Sequence, residues 1–226
     1  MVITTTKSGT MIVNGVEYNT YPPPSALVKV MKSRWAKELI AYGNMRFGSL
    51  ESYREWENAI LGDPNDGKGR LHMMGHPYDT DSANPVHAWC SSFPTITADR
   101  TLLLAEHGDY DCVVRIRDPL LLIQRVQNIL VRSSKEMYLH CSIVSYNRGE
   151  EVNKRILNSQ KFHFNVFQKD TYFAPDMEYR LSLTDTSLKP KMKPDVILPV
   201  GDCSDIITIE DLPNHRVERM RETSRF

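Results

Sequence analysis

Apolar residues near the amino terminus recur every three or four positions, the spacing of one face of a helix. Two helices are predicted there. The first is capped by Ser25 and stopped by Gly43, with an apolar face made of Leu27, Met31, Trp35, Leu39 and Tyr42. The second is capped by Ser49 and stopped by Gly62, with Tyr53, Trp56 and Ile60 turned inward.

Two short segments in the same part of the chain alternate apolar and polar residues, as strands do. "NMRFG" predicts a strand with Met45 and Phe47 on one side and Arg46 on the other. The segment from Met11 to Tyr18 alternates around an Asn-Gly pair, which is typical of a tight hairpin.

The rest of the chain is rich in β-branched and aromatic residues with partial alternation. It predicts seven strands, at 86–93, 112–117, 138–146, 161–168, 177–184, 195–200 and 206–209. Asp118 followed by Pro119 opens an amphipathic helix that runs to about Arg132, and a shorter helix is predicted over 150–157. These elements indicate an α+β fold, with a mixed or mostly antiparallel sheet, two N-terminal helices and one or two inserted helices. We predict one domain over 1–213 and a charged tail over 214–226.

Composition limits the classes of function. The chain has 226 residues, 41% of them hydrophobic, which is enough for one sizeable core. Its 28 basic and 28 acidic residues cancel, so only a local groove, such as one using Lys189, Lys191 and Lys193, could bind nucleic acid. The four scattered cysteines and the lack of a signal peptide predict a reduced, cytoplasmic protein, and no apolar run is long enough to span a membrane.

Histidines and a cysteine in the middle of the chain raise the possibility of a metal site. His72, His76, His87 and Cys90 are donors of the kind that zinc takes. His87 and Cys90, however, point to opposite faces if they share a strand. The alternative is that these are loop histidines and a core cysteine, and we predict no metal.

The segment "FQKDTYFAPDMEYRLSL" places charged residues on one side of a predicted strand. If Met177, Tyr179, Leu181 and Leu183 face the core, then Glu178, Arg180 and Ser182 share the opposite face. Such a face is either a solvated surface with an ordinary ion pair, or the wall of a cleft. In a cleft, the carboxylate could accept hydrogen bonds from a ribose and the arginine could hold a phosphate.

The stretch from Asn44 to Gly67 carries more charge than a scaffold segment needs. Glu51 and Glu55 are like charges one helical turn apart, and Asp63 and Asp66 follow in the turn. This acidic cluster beside Arg46 is either the solvent-exposed face of a helix or part of a binding site.

Taken together, "NMRFG", "SLESYREWENAILGD", "HAWCSSF" and "K-x2-Y-x5-EYR" resemble a poorly characterised family of bacterial and phage proteins. That layout is similar to the ADP-ribosyltransferase fold, whose members include DNA-targeting toxins. In such enzymes an early strand supplies an Arg or His that holds NAD, a middle strand supplies small polar residues, and a late strand supplies the catalytic Glu. The resemblance covers roughly Leu27 to Leu183.

The resemblance implies roles for particular residues, with NAD as the substrate. Arg46 would hold NAD, and Glu178 would stabilise the charge that develops as nicotinamide leaves. The other residues expected to bind the cofactor are Tyr53, Arg54, Ser91, Ser92 and Arg180. "EYR" lacks the paired acidic or amide motif of the protein-modifying transferases, which argues against arginine in proteins as the acceptor.

Three hypotheses remain open at this point. The chain is an ADP-ribosyltransferase or NAD glycohydrolase of toxin or phage-defence type, with a nucleic-acid or protein acceptor. Alternatively, it is a non-catalytic module that binds a nucleotide or a protein, or a small metal-stabilised protein.

Overall fold

A computed structural model describes residues 3–5, 11–13, 16–18, 23–55, 60–73, 76–81, 85–133, 137–146, 148, 164–185 and 194–213. Four α-helices are present in these ranges: α1 Ser33–Tyr42, α2 Leu50–Arg54, α3 Ala98–Gly108 and α4 Pro119–Arg132. The strands are β1 Ile3–Thr5, β2 Met11–Val13, β3 Val16–Tyr18, β4 Leu27–Met31, β5 Asn44–Ser49, β6 Lys68–Met73, β7 His76–Asp81, β8 Val86–Ser92, β9 Cys112–Ile116, β10 Met137–Ile143, β11 Glu178–Asp185, β12 Val196–Pro199 and β13 Ile207–Glu210.

The central sheet has eight strands and is antiparallel throughout its ladders. Six of them lie in the order β10-β11-β8-β4-β9-β13, while β5 pairs with both β8 and β12. Strands β1 to β3 form a separate small sheet, and β6 pairs with β7 in a hairpin. The α+β fold with a mostly antiparallel sheet is therefore confirmed.

The first predicted helix is partly wrong. Residues 27–31, "LVKVM", form β4, which pairs along its length with β9 from Leu27 opposite Ile116 to Met31 opposite Cys112. Two β-branched valines alternate with the other residues here, and the neighbouring strand supplies backbone partners that a helical period cannot reveal. The helix itself starts only at Ser33, and Gly43 ends it in the left-handed conformation, as expected.

Other elements show where the residue pattern was sufficient. Helix α4 begins after Asp118, whose side chain accepts a hydrogen bond from the Leu121 amide, and ends at Arg132 as predicted. Strand β5 buries Met45 and Phe47 and exposes Arg46, also as predicted, and β2 and β3 pair antiparallel.

The structure differs from the sequence-based predictions in three further places. The second helix is only five residues long, Leu50–Arg54, and Trp56 lies outside the described residues. Helix α3 was not predicted, although Thr97 caps it by accepting a hydrogen bond from the Arg100 amide. The strand expected over 161–168 is wrong because 164–167 form a 3₁₀-helix. The predicted helix at 150–157, the lysine cluster at 189–193 and the tail over 214–226 lie outside the described ranges.

Two apolar clusters lie on the sheet. The large one joins the strands to α1 and α4, through residues such as Leu39, Leu122 and Val126. The small one contains Leu50, Val86, Ala88, Val166 and Phe167. Because neighbours Ala88 and Trp89 belong to different clusters, the two occupy opposite faces of β8.

All four cysteines are free, and three of them are buried. In the described part of the chain, no helix is both long enough and apolar enough to cross a bilayer.

The end of α1 generates a stability prediction. Gly43 has φ +65°, and a Cβ there would lie 2.3 Å from the backbone oxygen of Gly201, whereas a Cβ on Gly201 (φ +88°) would meet nothing within 4 Å. We expect Gly43→Ala to lower the free energy of unfolding by more than about 1 kcal/mol, and by more than Gly201→Ala does, since only the first adds a backbone clash to strain. Urea unfolding of both variants checks this. Equal losses would contradict the close packing of the two loops.

Candidate functional site

Strands β4, β8 and β11 lie side by side in the central sheet, whereas β5, the strand of Arg46, pairs with β8 only through Gly48 and Ser49. Strand β8 pairs with β11 on one side and with β4 on the other. Ser92, at the end of β8, lies opposite both Glu178 and Val28. Three separate stretches of sequence therefore meet at one end of three strands.

Strand β11 is buried on both faces. Tyr179, Leu181 and Leu183 enter the large apolar cluster, so the predicted alternation is confirmed for these three residues. Met177 was predicted on the same face, but it precedes the strand in a left-handed conformation that ends a 3₁₀-helix. The opposite face is also covered, with Glu178 5% exposed and Arg180 0% exposed. The interpretation of this face as a solvated surface is therefore wrong.

Arg180 is bonded on every side. Its Nη1 and Nη2 donate to the two carboxylate oxygens of Asp66, at 2.6 and 2.9 Å. Its Nε and Nη2 donate to the two oxygens of Glu178, and Nη1 also donates to the carbonyl of Val166 at 2.7 Å. A guanidinium with this fork geometry can join two carboxylates rigidly.

Three further ion pairs surround Arg180. Lys169 Nζ lies 2.9 Å from Glu178 Oε2, and it is almost completely buried. Arg148 forks onto Asp63 at 3.1 and 3.3 Å, and Arg100 Nε donates to a carboxylate oxygen of Asp176 at 2.7 Å. Four carboxylates thus face four cations in a largely buried network: Asp63, Asp66, Asp176 and Glu178 against Arg100, Arg148, Lys169 and Arg180.

The network determines the charge state of Glu178. Burial alone would raise the pKa of this carboxyl, but Arg180 and Lys169 lower it, and the net pKa is well below its ordinary value. The pKa of Lys169 is raised, because the attraction of Glu178 outweighs the desolvation that lowers it. Glu178 is therefore a fixed carboxylate, and its main-chain amide is held by the Tyr146 hydroxyl at 2.7 Å.

Glu178 borders a cavity of about 150 Å³. Its walls include Leu104 of α3, Tyr110 in the loop after α3, and the half-buried Ser92. Burial raises the pKa of the Cys90 thiol, on the same wall, to about 12, so this thiol is neutral near pH 7. The other lining residues are Lys29, Val30, Tyr53, Ile60, Leu61, Asp66, Ser91, Lys169, Asp176 and Arg180.

A second cavity, of about 340 Å³, shares Lys29, Val30, Tyr53 and Tyr110 with the first. It adds Trp35, Trp89 and Arg46, among others. Its size falls in the range of small-molecule sites.

The structure separates the residues predicted for the site. Glu178, Tyr53, Ser91, Ser92 and Arg180 all line the first cavity.

Two predicted residues lie elsewhere. Arg46 lines only the second cavity, where its guanidinium pairs with Asp195 at 2.5 Å and lies 5.9 Å from the Trp35 ring. Arg54 lines neither cavity, and its Nε donates to the backbone oxygen of Asp66, so it supports the turn. The Ser91 hydroxyl, although in the first cavity, donates to the Tyr179 carbonyl at 2.9 Å.

Sequence reasoning missed Lys29, Lys169 and Asp176 as site residues. Lys29 was placed in a helix. Lys169 and Asp176 lie in the segment "FQKDTYFAPDMEYRLSL", but the sequence assigned them no function, because their partners are far away in sequence or on another element. The valines flanking Lys29 were the one local sign that it belongs to a strand.

The zinc hypothesis gains no support from the described residues. They contain no group of three or more His, Cys, Asp or Glu side chains placed to hold a metal ion. His87 Nε2 lies 3.2 Å from the Pro194 carbonyl, whereas Cys90 lines the first cavity.

Comparison with protein-family models, with curated proteins and with solved structures gives no match to this chain.

The network predicts that replacing Asp66 lowers the free energy of unfolding far more than replacing Asp79. Asp66→Asn leaves the buried Arg180 charge with half of its carboxylate partners, so we expect a loss of about 3–5 kcal/mol in the free energy of unfolding. Asp79→Asn removes an exposed pair with Arg70 and should change stability little. Urea unfolding measures both. Similar small losses would show that Asp66 does not compensate Arg180.

A second prediction concerns pH. The pKa of Glu178 is lower in the folded chain than the value of about 4.3 in an unfolded one, so its stabilisation is complete above the unfolded pKa and is lost as pH falls through the folded pKa. The stability difference between the wild type and Glu178→Gln should be constant above about pH 5 and narrow below about pH 4. Chemical unfolding across this range checks it. A difference that widens on acidification would contradict a depressed pKa.

Proposed function

We propose that this chain cleaves the nicotinamide–ribose bond of NAD, as an ADP-ribosyltransferase or an NAD glycohydrolase. The observation that carries the proposal is the buried Glu178 carboxylate, ion-paired with Arg180 and Lys169 at a cavity wall, opposite Ser92, where β4, β8 and β11 meet. An effector of toxin or phage-defence type, with a nucleic-acid, protein or water acceptor, is the biological role that the resemblance favours.

Glu178 has the charge that this reaction needs. As the bond from the ribose C1′ to the nicotinamide nitrogen breaks, positive charge develops on the ribose, and nicotinamide leaves with the bonding electrons. A preorganised carboxylate stabilises that charge without reorganising at the moment of reaction. The acceptor then forms a bond to C1′ and gives up a proton.

In our proposal a ribose hydroxyl bonds to Glu178 in place of a thiol. A carboxylate offers about four lone-pair positions. Three of them are used, by Nε and Nη2 of Arg180 and by Nζ of Lys169. The Cys90 thiol also bonds to this carboxylate, so a ribose hydroxyl would displace a weak neutral donor. The Ser92 hydroxyl, which has no hydrogen bond to any described residue, is a second polar group on the same wall.

The two cavities suit the two ends of a dinucleotide. In our proposal the nicotinamide ribose enters the smaller cavity, and the diphosphate lies toward Arg46 in the larger one. Tyr53 borders both cavities and packs so closely on β5 that a Cβ at Gly48 would lie 2.4 Å from its hydroxyl oxygen. This close packing fixes the tyrosine ring where the two halves of the ligand would join.

A non-catalytic nucleotide-binding module is the second candidate. The observation that favours it is the same network, because a carboxylate already bonded to two cations can serve to hold β11 together. In that case NAD or another nucleotide binds the cavities without being cleaved.

The test is release of nicotinamide from NAD by the purified chain. We expect release by the wild type and a decrease of about 100-fold or more in Glu178→Gln, because removing one electrostatic stabiliser of a transition state costs about that much. Asp79→Asn is the matched control, since it also neutralises an ion-paired carboxylate but lies in the exposed β6–β7 hairpin.

Thermal unfolding with and without NAD separates the outcomes. NAD-induced stabilisation without nicotinamide release would favour the binding module. If NAD is not cleaved and does not stabilise the chain, that result contradicts both candidates. Because Glu178→Gln removes a buried charge, its activity is compared only under conditions in which the variant is folded.

A further inference from the structure

Two lysines, Lys29 and Lys169, line the first cavity, and they differ in their ion pairing. Lys169 is ion-paired with Glu178, whereas Lys29 has no carboxylate within 4.0 Å among the residues that the structure describes. It is half-buried and borders both cavities. An unpaired lysine in such a place is either an anion anchor or a reactive amine.

The position of Lys29 follows from a split in the sheet. Strands β4 and β8 pair at a single position, Val28 opposite Ser92. The Lys29 amine bridges the two strands by donating to the carbonyl of Cys90 on β8. Its Nζ also lies 5.1 Å from the centre of the Trp89 ring.

The hydrogen bonding of this amine fits the neutral form. An ammonium has three N–H donors, and burying it with a single acceptor is costly. A neutral amine has two N–H groups and a lone pair, so one carbonyl leaves the lone pair free to react. The described residues supply only the Cys90 carbonyl as an acceptor.

The groups around Lys29 act in both directions, since the face of the Trp89 ring favours the ammonium while burial, the largest influence, favours the neutral amine. Desolvation lowers the pKa of Lys29, and Arg46 lowers it further, while Glu178 and Cys90 oppose this. The opposition from Cys90 is small near pH 7 because its thiol is neutral. The other titratable groups at the two cavities are Glu38, Tyr53, Asp66, Tyr110, Lys169, Asp176, Arg180 and Asp195.

We propose that Lys29 is a carbonyl-reactive amine, and that the junction of the two cavities takes a small aromatic aldehyde or ketone. The lone pair of Nζ attacks the carbonyl carbon, a C–N bond forms, and the carbonyl oxygen leaves as water with the two amine protons. Trp89, Tyr53 and Tyr110 supply aromatic surface for the ring of such a compound. This inference does not depend on NAD cleavage.

The experiment uses the wild-type chain with benzaldehyde as the probe. Borohydride reduces the imine by delivering hydride to its carbon, and peptide mass spectrometry then locates the benzylated lysines. We expect Lys29 to react faster near pH 7 than the exposed Lys37, because a lowered pKa raises the fraction of the amine that is neutral. Lys169, on the same cavity but with a raised pKa and a carboxylate partner, should remain unmodified.

Two results would overturn the proposal. One is labelling that follows exposure, with Lys29 no faster than Lys37. The other is a Lys29 labelling rate that levels off at no lower a pH than that of Lys37, which would show an ordinary ammonium and favour an anion anchor. Because the labelled sites are mapped in the wild type, neither result depends on whether a Lys29 variant folds. Lys29→Met checks that the early product is lost from this position.

Discussion

The constraint on which this structure depends is the burial of Arg180. A guanidinium remains charged at every accessible pH, so a completely buried one must be surrounded by acceptors. Here Asp66, Glu178 and the Val166 carbonyl supply them. To provide them, the chain brings the turn at 63–67, the segment at 164–169 and the start of β11 together over one face of the sheet. The ion pairs made by Arg148 and Arg100 extend the same arrangement outward.

This arrangement also places Glu178 beside an open space. An ion pair in the middle of a core would have no space beside it, whereas Glu178 borders a cavity that shares four lining residues with a larger one. Its ionisation is ensured by Arg180 and Lys169, and its position is ensured by β8 and Tyr146. Rigidity of this kind is what electrostatic stabilisation of a transition state requires, and the same rigidity suits a passive binding site.

Local residue patterns were sufficient where the structure is determined by local interactions. Strand β5, helix α4 and the alternation along β11 follow from apolar spacing, from the Asp118 cap and from period-two patterning. The pattern failed at β4, because four apolar residues spaced four apart, from Leu27 to Leu39, fit a helix until the partner strand β9 is known. Lys29 was missed for that reason. Asp66 was noticed, but its pairing with a residue 114 positions away depends on tertiary structure and has no signature in sequence.

The central claim is that Glu178 and the cavity beside it form the nicotinamide-ribose end of an NAD site. The most direct measurement is a crystal structure of the wild-type chain with an NAD analogue whose nicotinamide–ribose link cannot be cleaved. The account predicts a ribose hydroxyl within hydrogen-bonding distance of the Glu178 carboxylate, with the diphosphate toward Arg46. An analogue bound elsewhere on the chain, with the two cavities unchanged, would contradict it.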